Sequence, residues 1–263
     1  MGEARRITAA ALIIGNEILS GRTHDVNLKY LGVELNKLGI QIREARVVPD
    51  IEDEIIEAVN HCRSKFDYVF TTGGIGPTHD DITADCIAKA FGQKLIHHPV
   101  AEKMLRERII KMGNEVTEAR LRMARTPEFA ELLINEVSGA PGFKVENVFV
   151  MAGIPRVMQA MFGAAVPFLE RGVTMISNTI GSYVAEGTIA TQLSLLQDDY
   201  PDLDIGSYPF YFDGRPGSNF VLRGPEQDRI LEASERLYNL IISLGGEPVE
   251  GGVEVPTIKS DKK

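Results

Sequence analysis

Residues 7 to 14, Ile-Thr-Ala-Ala-Ala-Leu-Ile-Ile, are apolar but for Thr8 and are followed by Gly15. The run is far shorter than the roughly 18 residues a membrane helix requires. A strand without a polar face suits the middle of a sheet covered on both sides. The sequence that follows supplies the covers. Leu28, Leu31, Leu35 and Leu38 form one helical stripe that stops at Gly39. A second strand is expected over 41–48. Next comes a helix carrying Ile55, Ile56 and Val59, for which Asp50 is placed as an N-cap. A third strand over 67–72 leads to a helix marked by Ala84, Ile87, Ala90 and Phe91, with Gly92 as its stop. Strand and helix alternating in this way predict a parallel sheet with helices on both faces. Ligands of such sheets sit beyond the carboxyl ends of the strands. The loops Gly15 to Gly21, Pro49-Asp50 and Thr72 to Asp81 should therefore converge.

The richest of these loops is Thr71-Thr72-Gly73-Gly74-Ile75-Gly76-Pro77-Thr78-His79-Asp80-Asp81. Glycines between a strand and a helix can be an ordinary turn, because glycine accepts positive φ. Here they stand between a hydroxyl pair and a carboxylate pair. Gly73, Gly74 and Gly76 would offer backbone N–H groups to a phosphate, beside the positive end of the following helix, and Thr72 and Thr78 would add hydroxyls. Adjacent carboxylates raise each other's pKa unless a cation or hydrogen bonds relieve them, so Asp81, with Asp80, is the candidate metal pair. Asp50 would orient a water or a substrate hydroxyl, a role that competes on spacing with helix capping. Glu17 would accept hydrogen bonds from a heterocycle edge or a ribose, against a solvent-facing alternative. His79 is read as incidental, and His97-His98 before Pro99 as a surface turn.

Composition excludes several classes. A net charge of −9 with no basic stripe argues against nucleic acid. Cys62 and Cys86 have no CxxC spacing, so neither a zinc site nor a disulfide framework is implied, and a reduced cytoplasm fits. Residues 1 to 6 followed by the apolar run have a signal-peptide flavour, but Gly15-Asn16-Glu17 interrupts it and a buried first strand is the better reading. No membrane association is expected.

Beyond Gly92, helices are expected over about 99–112 and 115–125, extended pieces near 131–135 and 146–151, and a helix from Pro155 to about Leu169. From Gly172 the rhythm restarts: strand 173–178, helix 184–196, a hairpin of 204–212 and 219–223, and helix 226–244. The expected organisation is α/β: a main domain over 1–171, a smaller α+β domain over 172–258 and a frayed tail over 259–263.

Gly15-Asn16-Glu17-Ile18-Leu19-Ser20-Gly21, Thr71 to Thr83 and Gly139-Ala140-Pro141-Gly142-Phe143 carry a resemblance. In these segments the chain resembles the MoaB/Mog superfamily, the molybdopterin-binding-like fold, and within it the competence/damage-inducible protein A (CinA-type) branch. The resemblance implies a three-layer α/β/α core and a pocket for a phosphate-bearing nucleotide or pterin. It puts two important carboxylates at Asp50 and Asp81, and ligand contacts at Gly15, Glu17, Ser20, Gly21, Thr72, Gly73, Gly74, Gly76, Pro77, Thr78, Asp80, Pro141, Gly142, Gly153 and Pro155. For the CinA branch it implies cleavage of ADP-ribose-type pyrophosphates with a divalent cation, Mg, Mn or Co. The branch's C-terminal deamidase domain is not expected after residue 170. Two rival functions remain: a non-catalytic binder of molybdopterin or a related cofactor, and an oligomeric scaffold with a vestigial pocket. A homo-oligomer of open size is the expected assembly. Ala152 and Val157 depart from the family's Pro-Gly-x-Pro-x-Glu-Met segment, and Val157 removes a carboxylate. Met123-Ala124-Arg125-Thr126-Pro127 departs from its Gln-Ala segment.

Overall fold

The computed structural model describes residues 6–255, and the chain divides into two compact units at Val173 and Thr174. The expected tail over 259–263 and Arg5 lie outside the described residues. In the first unit β1 (Ile7–Ile14), α1 (Asn16–Leu19), α2 (Asn27–Lys37), β2 (Ile40–Val48), α3 (Glu52–Lys65), β3 (Tyr68–Thr72) and α4 (Thr83–Ala90) follow in order. β1 pairs with β2 and β3 in parallel, and β3 pairs in parallel with β8 (Val148–Met151).

The apolar run of β1 has the predicted cause. Ala10, Leu12 and Ile14 pack with Ile55, Ala58 and Val59 of α3 and Ile87 of α4. Ile7 and Ala9 pack on the other face with Leu31 and Leu35 of α2 and Met158 and Phe162 of α7 (Pro155–Ala165). β3 and β8 divide likewise, Val69, Val148 and Val150 to the first face and Phe70, Phe149 and Met151 to the second. Period-2 side-chain alternation feeds two cores from one set of strands. Each large aliphatic side chain fully buried there contributes about 2 kcal/mol.

Four expectations for this unit need correction. The sheet is mixed: its order is β2-β1-β3-β8-β7-β6, and β7 (Gly142–Val145) is antiparallel to both β8 and β6 (Glu131–Leu133). Only Glu146, at φ 49, and Asn147 separate β7 from β8, and so short a link can join only antiparallel neighbours. The helix expected over 115–125 is cut to α6 (Glu118–Leu121) and a 3-10 turn over Arg122–Ala124, after α5 (Pro99–Lys111). Pro127 biases Thr126 to an extended backbone, and Arg125–Pro127 forms β5, paired with β4 (Leu95–His97). His97 is consequently a strand residue, with Nδ1 3.7 Å from Glu102, and not part of a turn. Finally, Asp50 does not cap α3. The N-cap there is Ile51, without a side-chain hydrogen bond, and Asp50 Oδ2 accepts from Asn16 N at 2.9 Å.

The second unit is α+β. β9 (Ile176–Ser182), α8 (Glu186–Asp199), β10 (Asp204–Phe212), β11 (Arg215–Gly224), α9 (Gln227–Ser243) and β12 (Val249–Glu250) give an antiparallel sheet of order β10-β11-β9-β12. Ile180, Phe220 and Leu222 pack there with Ile189 and Leu196 of α8 and Ile230, Leu237 and Ile241 of α9. β9 lies later than the expected 173–178, because Gly181 reads as a breaker yet sits where the backbone of Val253 approaches closely. No helix among the described residues is long and apolar enough to cross a membrane.

Candidate functional site

Three chain segments leave the carboxyl ends of β1, β3 and β8 together. Gly15 N donates to Val48 O at 3.1 Å, tying the first loop to β2, and Gly73 N donates to Met151 O at 3.0 Å, tying the glycine loop to β8. The glycine loop is closed on its far side by α4. Thr83 Oγ1 donates to Gly73 O and Thr83 N to Gly74 O, both at 3.0 Å. A β-carbon at Gly73 would lie 2.1 Å from Ile14 O, and φ there is +106°, so the turn demands glycine.

Between these segments lies a cavity of about 480 Å³. Glu17 and Asp81 enter it from different loops, and Gly73, Gly74, Gly76 and Pro77 form one wall. Gly153 and Pro155, at the start of α7, form another. These eight expected residues come together. Thr72 lines a smaller adjoining compartment. Gly15, Ser20, Gly21, Asp50, Thr78, Asp80, Pro141 and Gly142 are not among the residues lining the cavity. Gly142 is buried within β7, and the neighbouring Ser138 and Ala140 reach the cavity in place of Pro141 and Gly142. Thr23, Ile75, Met123, Val157 and Met161 also line it and are not among the expected ligand contacts. Val157, standing where the family has a carboxylate, makes part of an apolar wall with Met161 and Ala152.

Hydrogen bonding sorts the polar groups. Gly73 N is already used by Met151, whereas the N–H groups of Gly74, Ile75 and Gly76 find no acceptor among the described residues. The Thr78 hydroxyl, expected to meet a ligand, donates to Asp81 Oδ2 at 2.5 Å, and Thr78 N donates to the same oxygen at 2.8 Å. Asp81 thereby folds its own loop, with Oδ1 left for other partners. The Asp80 side chain is 61% exposed. Asp50, bonded to Asn16 N, fixes the start of α1 and so positions Glu17 one residue on.

No lysine, arginine or histidine is among the residues lining the cavity, and no three His, Cys, Asp or Glu side chains converge as a metal cage among the described residues. Both cysteines are buried. Burial raises both thiols, Cys86 to about 12, which leaves neither a nucleophile at neutral pH.

Residues 10–171, which include every loop just described, match the family described as the probable molybdopterin binding domain. The chain belongs to that family. Residues 174–244 match a second family, the FAD synthase middle domain. A protein of Archaeoglobus fulgidus is 34% identical over 229 residues, covering 87% of this chain and 95% of that protein. A Clostridium botulinum protein named for competence-damage induction is 33% identical over 76% of this chain, an alignment that spans 51% of its own length. The crystal structure of CinA from Thermoplasma acidophilum superposes with a TM-score of 0.57 at 36% identity, covering 61% of this chain and 96% of that one. The MoaB/Mog fold with CinA-like relatives, expected from the loops, is thus the family of this molybdopterin-binding-domain chain.

Proposed function

We propose that the first unit binds a nucleotide pyrophosphate of the ADP-ribose type and hydrolyses it with a divalent cation. The observation that carries this reading is the charge pattern of the cavity. The N–H groups of Gly74, Ile75 and Gly76, without an acceptor among the described residues, invite a phosphate, yet the only ionisable side chains of the described residues on the walls are Glu17 and Asp81. A phosphate among two carboxylates needs a cation to offset their repulsion. Mg²⁺ is commonly held by one or two carboxylates together with substrate phosphates, so the missing three-residue cage does not conflict with such an ion. Asp81, through Oδ1, is the residue suited to hold it, with Glu17 as the second carboxylate.

The chain's own groups divide the remaining work. The glycine loop orients the phosphates with backbone N–H groups that cost no reorganisation. The apolar wall of Met123, Val157 and Met161 takes a flat ring and excludes water from it. Glu17 accepts a hydrogen bond from the attacking water, and Asp50 positions the loop that carries it. A cation bound at Asp81 would neutralise charge on the bridging oxygens and lower the pKa of a bound water. Water adds to one phosphorus, the bridging P–O bond breaks, and AMP and ribose 5-phosphate leave.

A match to the FAD synthase middle domain in the second unit supports nucleotide-related chemistry for the chain. A second reading, a non-catalytic binder of a molybdopterin-type ligand, draws on the commitment of Asp81 Oδ2 to Thr78 and on Val157. Incubating the protein with ADP-ribose and Mg²⁺, Mn²⁺ or Co²⁺ separates the two. Release of AMP that stops in EDTA is expected. Saturable binding without AMP release would favour the second reading.

A further inference from the structure

Beside the main cavity, and sharing Glu17, Thr23, Gly153 and Pro155 with it, is a compartment of about 60 Å³. It is too small for a ring and large enough for about two water-sized groups. Its polar lining is unusual in being unfinished. Asn27 is 4% exposed and Thr72 2%, yet Asn27 Oδ1 and Thr72 Oγ1 have no hydrogen-bond partner among the described residues. The amide cannot simply be turned round to satisfy itself, because Asn27 Nδ2 donates to Gly153 O at 2.8 Å and that carbonyl requires a donor. Asp25 adds a carboxylate whose Oδ1 accepts from Leu28 N, in the first turn of α2, at 2.9 Å, leaving Oδ2 unengaged among the described residues. Buried polar atoms left unpaired are costly, and a protein retains them where something else completes them.

We infer that this compartment is a specificity subsite, resting on the proposed function, that receives a pair of hydrogen-bond donors from the ligand whose phosphates lie on the glycine loop. Asn27 Oδ1, Asp25 Oδ2 and Glu17 can only accept, whereas Thr72, Thr23 and His24, which also line the compartment, can donate as well. The matching chemistry is an amine and ring N–H edge or adjacent sugar hydroxyls. A carbonyl edge or a phosphate would leave the buried Asn27 Oδ1 facing another acceptor. None of Asn27, Asp25 and Thr23 stands in a sequence motif that suggests binding. The one sequence sign is a polar residue at position 27 in the stripe continued by Leu31 and Leu35, all three buried.

Thr72→Val tests this, because it removes the hydroxyl with little change of shape. Its melting temperature should equal or exceed that of wild type, since no protein group loses a bond. Its affinity for ADP-ribose with Mg²⁺ should fall about tenfold, the value of one hydrogen bond in a dry site. Thr71→Val is the control. Its hydroxyl is equally buried and unpartnered but is in neither cavity, so affinity should stay unchanged. Three analogues locate the donors: the inosine counterpart lacks the base amine, the 2′-deoxyadenosine counterpart a sugar hydroxyl, and ADP the terminal ribose. The analogue missing the bound donor should lose affinity in wild type and lose no more in Thr72→Val. Unchanged affinity in Thr72→Val, an equal fall in Thr71→Val, or an undiminished fall with all three analogues would overturn the subsite alone. If wild type binds none of these compounds with the cation present, the subsite and the proposed function fall together.

Discussion

Replacing Gly73 by alanine is expected to destabilise the first unit by about 3–5 kcal/mol, enough to lower its melting temperature by about 10 °C. The new β-carbon would meet Ile14 O at 2.1 Å, a backbone atom of the central strand that cannot step aside, and φ is +106°. Movement of the loop would also break the bond from Gly73 N to Met151 O. Gly92→Ala separates the two causes. That glycine has φ +62° but open space around it, so only the backbone cost of about 1 kcal/mol applies. Thermal unfolding of both variants decides the matter. A Gly73→Ala protein melting within two or three degrees of wild type would mean that the loop is not braced on β1 as described.

The second large effect is expected from Asp81→Asn. Asparagine keeps an oxygen able to accept from Thr78, so the loop should fold and the melting temperature should stay within about 2 °C of wild type. Loss of the charge that would hold a cation should lower kcat/KM for ADP-ribose by about a hundredfold or more. Asp80→Asn should have a much smaller effect, because its carboxylate is exposed and is not among the residues lining the cavity. Comparing the two variants at saturating Mg²⁺ measures which of the adjacent acids faces the chemistry. Equal losses would restore the paired arrangement that the sequence alone suggests.

That contrast marks how far the sequence can be read. β1, β3 and the glycine loop are legible because each obeys a local rule: an apolar strand covered on two faces, and glycines where the backbone needs positive φ. Local rules also place Glu17 at the end of β1. They do not say which of two successive carboxylates turns inward, since in a turn that depends on the bonds the loop makes with itself, here Thr78 to Asp81. Nor do they find the opposite wall. Met123, Ser138 and the α7 pair Val157 and Met161 come from three separate segments after residue 120, and only the closing of the mixed sheet sets them against the loops. The same long-range closure explains why β7 was unreadable: Pro141-Gly142 punctuates like a loop, and its strand character comes from pairing on both sides with β6 and β8. Asp50 fails as an N-cap for a related reason, because its partner, Asn16, is distant in sequence and near only across β1 and β2.

On the proposed function, a cavity bearing carboxylates and no basic side chain takes a pyrophosphate only together with a divalent cation. Titration calorimetry of ADP-ribose into the whole chain, once with Mg²⁺ and once with EDTA, tests it most directly. Binding tighter by about tenfold or more in Mg²⁺ is expected. Equal affinity in EDTA would contradict the account.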